Sequence, residues 1–173
     1  MKNIFAKKIT QIVVSLALAL GCSLGAQAAS LEQVTFGELA NDIVVRDETA
    51  SFVSFIDMLP ARSMVADSYV EPFMGSEIDL VKYAFIYDAL YDVEANFKNS
   101  NIDEYNKLRK KMIAKYGLGE EQTVFDKKTG LKTHKYVWQS DKKTMELAYS
   151  SNESYDFHDL YLNVFCVKMG EKI

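Results

Sequence analysis

The sequence predicts an α+β protein in which antiparallel sheet strands are covered by one long and one short helix. Apolar residues fill every second position over 81–87 and again over 91–97, the period of strands with one buried face. Asp88-Ala89 lies between these runs and predicts the turn of a β-hairpin. Over 102–116 the apolar positions recur near a helical period, which predicts the long helix. An apolar hairpin face needs such a helix, or a second sheet, to cover it.

The first 28 residues have the pattern of a bacterial secretory signal. A basic start is followed by an apolar run over residues 9–20 and by the small-residue sequence Ala-Gln-Ala at 26–28. The run is too short for a transmembrane anchor, and no later segment is long enough to span a bilayer. The sequence therefore predicts export, to the periplasm or the medium, and one domain over residues 29–173.

Cys22 lies inside this signal and allows a second interpretation. Bacterial lipoprotein signals place a small residue just before a cysteine that is then acylated, but Ala19 stands where that pattern usually has leucine. Cleavage after Ala28, with Cys22 as an ordinary small residue, is preferred. Acylation at Cys22 would instead tether the protein to the outer membrane through its acyl chains.

The charge of the exported chain is acidic and unevenly divided. Removing the signal removes three lysines and no acids, which leaves 17 basic and 24 acidic residues, a net charge of −7. This charge disfavours nucleic-acid binding, which needs a basic surface for the phosphates. Residues 31–97 hold 13 acids and 3 bases, whereas residues 98–173 hold 11 acids and 14 bases. Such polarity allows oriented docking, including a dimer through the two halves, but solvated faces that keep the protein soluble are the commoner explanation.

Three short elements are predicted before the hairpin. Residues 35–45 form a helix in this interpretation, with Thr35 as its cap and Glu38 three residues later. Residues 51–59 and 64–70 are predicted as strands, and a proline ends the first of them.

The long helix at 102–116 has the clearest signals in the chain. Asn101 and Glu104 have the spacing of a capping box, and Gly117 follows as the residue typical of a left-handed helix end. Its apolar face would cover the hairpin. The opposite face carries the basic residues Lys107, Arg109, Lys110 and Lys111.

A second antiparallel set is predicted after the long helix. Its strands cover residues 122–126, 131–139, 145–149 and 155–167, with a loop at 150–154. The tetrapeptides at 82–85 and 135–138 both read Lys-Tyr-apolar-aromatic, and each lysine is followed by an aspartate six residues later. This similarity suggests two tandem helix-then-sheet units, 31–97 and 98–173. Chance agreement between two hairpins is the alternative.

No catalytic or metal-binding constellation is recognisable in the sequence. His134 and His158 lie on different predicted strands, without a cysteine or a paired carboxylate at ligand spacing. Cys166 is the only cysteine outside the signal, so no internal disulfide is expected, and its apolar strand face favours an inert thiol. We therefore expect no enzyme activity, no metal and no cofactor.

The aromatic residues are the strongest indication of a binding surface. Ten tyrosines and ten phenylalanines exceed what one helix-and-sheet core needs. Large rigid rings on an exposed sheet face suit protein binding, whereas rings that line the core would have a structural role. The candidate binding residues are Tyr83, Phe85, Tyr91, Tyr136, Trp138 and Tyr149.

The order of these elements resembles secreted bacterial two-layer proteins. The pattern is carried by Phe36-Gly37, Tyr83, Phe85, Tyr116-Gly117, Tyr136 and Trp138. It is similar to the helix-then-antiparallel-sheet modules of β-lactamase inhibitor protein and of the small outer-membrane assembly lipoproteins. The resemblance implies protein binding through a sheet face or its loops, without catalysis.

Three function classes follow from these observations. The preferred one is an exported envelope protein that binds another protein, as an inhibitor, an immunity protein or an assembly factor. The second is a carrier that holds a small apolar ligand between helix and sheet. An enzyme ranks third, because it would need a cleft that gathers His134 or His158 with two carboxylates.

Overall fold

The computed structural model describes residue 31 and residues 34–46, 51–52, 61–66 and 71–167. Its helices are α1 (Ala40–Arg46) and α2 (Ile102–Tyr116), and its strands are β1 (Ser51–Phe52), β2 (Ala61–Ala66), β3 (Ile78–Ile86), β4 (Ala89–Phe97), β5 (Glu120–Asp126), β6 (Leu131–Gln139), β7 (Lys143–Asn152) and β8 (Phe157–Cys166). The predicted signal, with Cys22, lies outside the described residues. Within the described ranges, no helix is long and apolar enough to cross a membrane.

The eight strands form one antiparallel sheet in the order β1-β2-β3-β4-β8-β7-β6-β5. Consecutive strands pair within β1–β4 and within β5–β8, and the two sets join where β4 pairs with β8. Val93 stands opposite Val164 at this junction. The predicted α+β class, with an antiparallel sheet and two helices, is confirmed.

The β3–β4 hairpin is confirmed, but its turn lies one residue earlier than predicted. Tyr87 and Asp88 form the turn, between the paired residues Ile86 and Ala89. Both turn residues have positive φ angles, 51° and 62°, as a two-residue hairpin turn of type I′ requires. Ala89 stays outside the turn because it begins β4 and bridges Leu39.

The first helix begins at Ala40, so the prediction of a helix capped by Thr35 is wrong. Residues 37–39 pair instead with the start of β4: the Gly37 amide donates to the Leu90 carbonyl at 2.8 Å, and the Leu90 amide donates to the Glu38 carbonyl at 2.9 Å. Gly37 has a φ of 92°, which glycine adopts without steric cost and which a helix excludes. These backbone bonds prevent residues 35–39 from joining the helix.

Helix α2 has the predicted bounds and the predicted end residues, although Gly117, with a ψ of −172°, does not adopt the left-handed helical conformation. The Asn101 side chain accepts a hydrogen bond from the Glu104 amide at 2.9 Å. At the other end Gly117 has a φ of 85°, and its amide donates to the Ile113 carbonyl at 2.9 Å. Both ends therefore satisfy backbone groups that the helix leaves open.

The core is a buried cluster that includes residues of both helices and of the sheet. Helix α2 buries Tyr105, Leu108 and Met112, and α1 buries Ala40 and Ile43. These side chains belong to one buried cluster with the following residues of the four central strands: Val81, Tyr83, Phe85, Leu90, Val93, Ala95, Phe97, Met145, Leu147, Tyr149, Leu160, Leu162 and Val164. We call the side of the sheet that carries these residues the core face and the other side the open face.

The remaining strand predictions are partly confirmed. β6 has the predicted bounds, and β5 begins two residues before the predicted Gln122. β7 continues through Asn152, so the predicted loop at 150–154 is shortened to a 3-10 turn at Glu153–Tyr155. Nearer the N-terminus, β1 covers only 51–52 of the predicted 51–59, and β2 begins at Ala61 rather than at residue 64. Residues 53–60 and 67–70 lie outside the described ranges.

Candidate functional site

The candidate binding residues do not form an exposed aromatic surface. Tyr83, Phe85, Tyr136, Trp138 and Tyr149 all belong to the core, and none is more than 6% exposed. The expectation that these five rings face solvent is therefore wrong, and the alternative that they line the core describes them correctly. Alternation indicates which residues share a sheet face, but it does not indicate which face the helices cover. The sixth residue, Tyr91, lies apart from them.

Tyr136 and Trp138 fasten the end of α2 to β6. Their rings lie 4.7 Å apart, and the Trp138 indole Nε1 donates to the Gly117 carbonyl at 2.8 Å. The Tyr136 hydroxyl accepts from the Gly119 amide at 3.2 Å. A Cβ atom at Gly119 would lie 2.4 Å from the Val137 carbonyl oxygen, so only glycine fits this close approach. These aromatic residues are structural.

A polar cluster lies at the opposite end of the core face. The Tyr149 hydroxyl is 2.8 Å from Nδ1 of His158, and the two rings stack. Tyr105 of α2 lies 6.3 Å from the Tyr149 ring and 6.5 Å from the His134 ring. Burial and the neighbouring Lys132 lower the pKa of His134. Each histidine thus contacts a tyrosine of the core, His158 through Tyr149 and His134 through Tyr105.

The open face carries a second set of aromatic residues, along the central strand β8. Phe157, Tyr161 and Phe165 occur at every fourth position, so their side chains lie on one side of the strand, about 13 Å apart. Phe157 is 44% exposed and Phe165 40% exposed, whereas Tyr161 is half-buried. We call these three residues the β8 stripe. Asp159 and Asn163 separate its members.

Two ion pairs flank the β8 stripe. Lys82 of β3 pairs with Glu94 of β4, and Lys135 of β6 pairs with Glu146 of β7 at 2.7 Å. Glu94 and Glu146 stand opposite Asn163 from its two neighbouring strands. All four charged side chains are between 21% and 48% exposed, so solvent reaches them without fully screening them.

A depression of about 420 Å³ lies at the centre of the open face. Its lining includes Tyr91, Asp92, Glu94, Glu146, Tyr161 and Phe165. Burial, aided by the Glu94 carboxylate and opposed by a hydrogen bond from Asn163, raises the pKa of Asp92. Within the described residues its Oδ1 has no hydrogen-bond partner. Burial and the carboxylates of Glu146 and Glu94 raise the pKa of Tyr161 to about 12, so its phenol stays protonated and can donate.

A separate depression of about 550 Å³ gathers one histidine with two carboxylates. Its lining includes His158, Asp79 and Asp159. The His158 imidazole is held by Tyr149 through Nδ1, and its Nε2 lies 3.7 Å from the Asp156 carboxylate outside that lining. Among the described contacts of His158, neither Asp79 nor Asp159 is a partner, so the orienting contact that a general base needs is not provided by these carboxylates.

Metal-ligand geometry is not found in the described part of the chain. No group of three or more His, Cys, Asp or Glu side chains there could hold a metal ion. The Cys166 thiol is half-buried and packs against the core, in agreement with its predicted apolar face.

The alternation of β8 is the sequence signal for the β8 stripe. From 157 to 165 aromatic and polar residues alternate on one face, and Leu, Leu and Val lie on the other. The chain matches no protein-family model, no curated protein and no solved structure.

Proposed function

We propose that the protein is exported and acts as a non-catalytic protein-binding module in the bacterial envelope, as an inhibitor, an immunity protein or an assembly factor. The open face of the sheet is its docking surface. The observation that carries this proposal is the β8 stripe, in which two phenylalanines remain 40% or more exposed near the two ends of a central strand of an eight-stranded sheet. Aromatic side chains are enriched at protein–protein interfaces.

The surroundings of the β8 stripe support a partner with basic residues. The open face carries four carboxylates, on Asp92, Glu94, Glu146 and Asp159. Two of them form ion pairs, Glu94 with Lys82 and Glu146 with Lys135. Asp92 is already partly desolvated, and no described residue bonds its Oδ1, so a cationic side chain placed beside it would restore the lost interaction. The partner would therefore present apolar groups to the rings and a lysine or arginine to Asp92.

The same proposal includes the finer architecture expected from the sequence. One long and one short helix would cover the core face alone, and residues 31–97 and 98–173 would be tandem helix-then-sheet units. In its support, a helix followed by four strands occurs twice in the element order. The similar tetrapeptides do not add support, because 82–85 lies in the third strand of its set and 135–138 in the second.

The carrier alternative has less support. A ligand between helix and sheet would have to displace side chains that already contact one another, such as Tyr105 with Tyr149 and Trp138 with the end of α2. The open face needs no such rearrangement before it can bind.

Site-specific photo-crosslinking tests the docking surface. A photoreactive phenylalanine analogue at Phe165 is expected to give one dominant adduct in the exporting cell. The same analogue at Lys110, an exposed position on α2, is the matched control and is expected to give none. A dominant adduct from position 110, or none from 157 and 165, would contradict the assignment of the open face.

Export and the state of Cys22 are tested by the mass of the mature N-terminus. Cleavage after Ala28 predicts a chain that starts at Ala29 without acyl groups. A diacyl- or triacyl-cysteine at position 22 would replace this prediction with an outer-membrane lipoprotein, and an intact N-terminus would contradict export.

A further inference from the structure

Strand β5 forms one edge of the sheet, and it is open along its whole length. It stands last in the strand order and pairs only with β6 among the described strands. All seven of its residues, Glu120–Asp126, are exposed. An edge strand of this kind presents a row of backbone amide and carbonyl groups to solvent.

β5 carries three charged side chains but lacks the other devices that usually keep an edge from pairing. Its sequence contains no proline and no lysine, and its seven successive pairs with β6 have no register shift, so no bulge twists the edge away. The other edge of the sheet differs within the described residues, where β1 covers Ser51–Phe52. β5 is therefore the edge that can accept a regular added strand.

Two apolar side chains in β5 favour such an addition. Val124 is 50% exposed and Phe125 is 60% exposed. Adjacent residues of a strand point to opposite faces, so an added strand would find one apolar neighbour on each side of the sheet. An added strand would cover both of these side chains, which otherwise stay in contact with water.

In the register that is centred on Thr123, the charges of β5 disfavour a second copy of this chain as the added strand. Two paired copies would bring together six carboxylates and no cation, because each β5 carries Glu120, Glu121 and Asp126. An antiparallel pair centred on Thr123 places Glu120 opposite Asp126 at both ends, and like charges directly opposite are destabilising.

The same charges define a complementary strand. Asp126 is already bound by the Lys128 amide and the Thr129 hydroxyl, and two lysines follow in the turn at 127–128. At the other end of β5, Glu120 and Glu121 are adjacent, and Glu121 forms an ion pair with Arg109. The edge is thus apolar near its C-terminal end and acidic at its N-terminal end.

We propose that β5 binds an extended segment of another protein as a ninth, antiparallel strand. The segment carries apolar residues opposite Val124 and Phe125, followed by lysines opposite Glu121 and Glu120. Main-chain hydrogen bonds supply most of the affinity, and the order of apolar and basic residues supplies the specificity. This site is distinct from the open face, and the proposal does not depend on docking there.

A peptide of defined pattern tests the proposal on the isotope-labelled protein purified after export. The probe is Val-Val-Thr-Thr-Lys-Lys with blocked ends, in the order that antiparallel pairing requires. Saturable shifts are expected in the amide resonances of residues 120–126. The reversed peptide, Lys-Lys-Thr-Thr-Val-Val, has the same composition and is expected to bind at least about tenfold more weakly, a difference of about 1.4 kcal/mol.

Backbone methylation of the peptide separates strand addition from simple charge attraction. In an antiparallel pair only alternate residues direct their amides toward the neighbouring strand. Methylating one alternate set should abolish binding, whereas methylating the other set should leave it unchanged. Equal binding of both methylated peptides, shifts confined to the open face, or no shifts at 120–126 would each overturn the proposal. The crosslinking result at Phe165 is independent of all these outcomes.

Discussion

The two faces of strand β8 use aromatic and aliphatic residues in opposite ways. Leu160, Leu162 and Val164 are at most 1% exposed, whereas Phe157 and Phe165, on the other side of the same strand, stay open to solvent. The first set is uniformly aliphatic, whereas Asp159 and Asn163 separate the rings of the second set. The uniformly apolar side therefore belongs to the buried core, and the mixed side keeps contact with water.

The largest expected difference between the two faces is in stability. Leu162→Ala would leave a cavity in the middle of the sheet and is expected to lower the free energy of unfolding by about 2 to 5 kcal/mol. Phe165→Ala, three residues away, is expected to lower it by less than about 1 kcal/mol. Urea denaturation followed by circular dichroism measures both. Similar losses in the two variants would mean that the open face is covered in solution.

The end of α2 offers a second test on the core face. Trp138→Phe removes the hydrogen bond to the Gly117 carbonyl and part of the ring that packs on Tyr136. The expected loss is about 1 to 2 kcal/mol. Urea denaturation by circular dichroism measures it, because Trp138 is the single tryptophan and its fluorescence is lost with it. If Trp138→Phe left the free energy of unfolding unchanged, the indole would not hold the end of α2 on β6.

The ion pairs of the open face should contribute less. A double-mutant cycle on Lys135→Ala and Glu146→Ala is expected to give a coupling energy of about 0.2 to 1 kcal/mol, since both side chains are partly exposed. The matched cycle on Lys82 and Glu94, whose side chains are more exposed, should give a smaller value. A coupling well above this range would place Lys135 and Glu146 in a drier environment than an open face provides.

Elements with local signals could be predicted from the sequence. Helix α2 has its cap at Asn101 and its glycine stop at Gly117, and both operate within a few residues of the helix ends. Strand β6 was found at its full length for a similar reason, because its alternation ends at clear turns. These features depend on neighbours in sequence, which is the information that a single sequence contains.

Features that depend on distant partners could not be predicted. Residues 37–39 pair with Leu90, more than fifty positions away, and this pairing displaced the expected helix start. Likewise, the burial of Tyr136 and Trp138 depends on where α2 ends over β6. Alternation on β8 indicates that the face with Leu160, Leu162 and Val164 is buried, but it does not indicate that Phe157 and Phe165 stay exposed on the other face.

The smallest expected effect concerns two carboxylates with opposite pKa shifts. Burial raises the pKa of Asp92 on the open face above its ordinary value of 3.8. A hydrogen bond from Ser76, with help from Lys107, lowers the pKa of Glu104 at the start of α2 below 4.5. The folded state therefore binds the Asp92 proton more tightly than the unfolded state does, and it binds the Glu104 proton less tightly.

The signs of the resulting pH dependences differ. As the pH rises above about 3.8, ionisation of Asp92 destabilises the folded state. The free energy of unfolding of Asp92→Asn, relative to that of the unaltered protein, should therefore increase between pH 3.8 and pH 7. Glu104 stabilises the fold above pH 4.5 and loses that effect as the pH falls, so Glu104→Gln should be at its greatest disadvantage at pH 7. Unfolding free energies at pH 4 and pH 7 measure both trends. A parallel pH response of the two variants would contradict the view that the open face holds a carboxylate in need of a cationic partner.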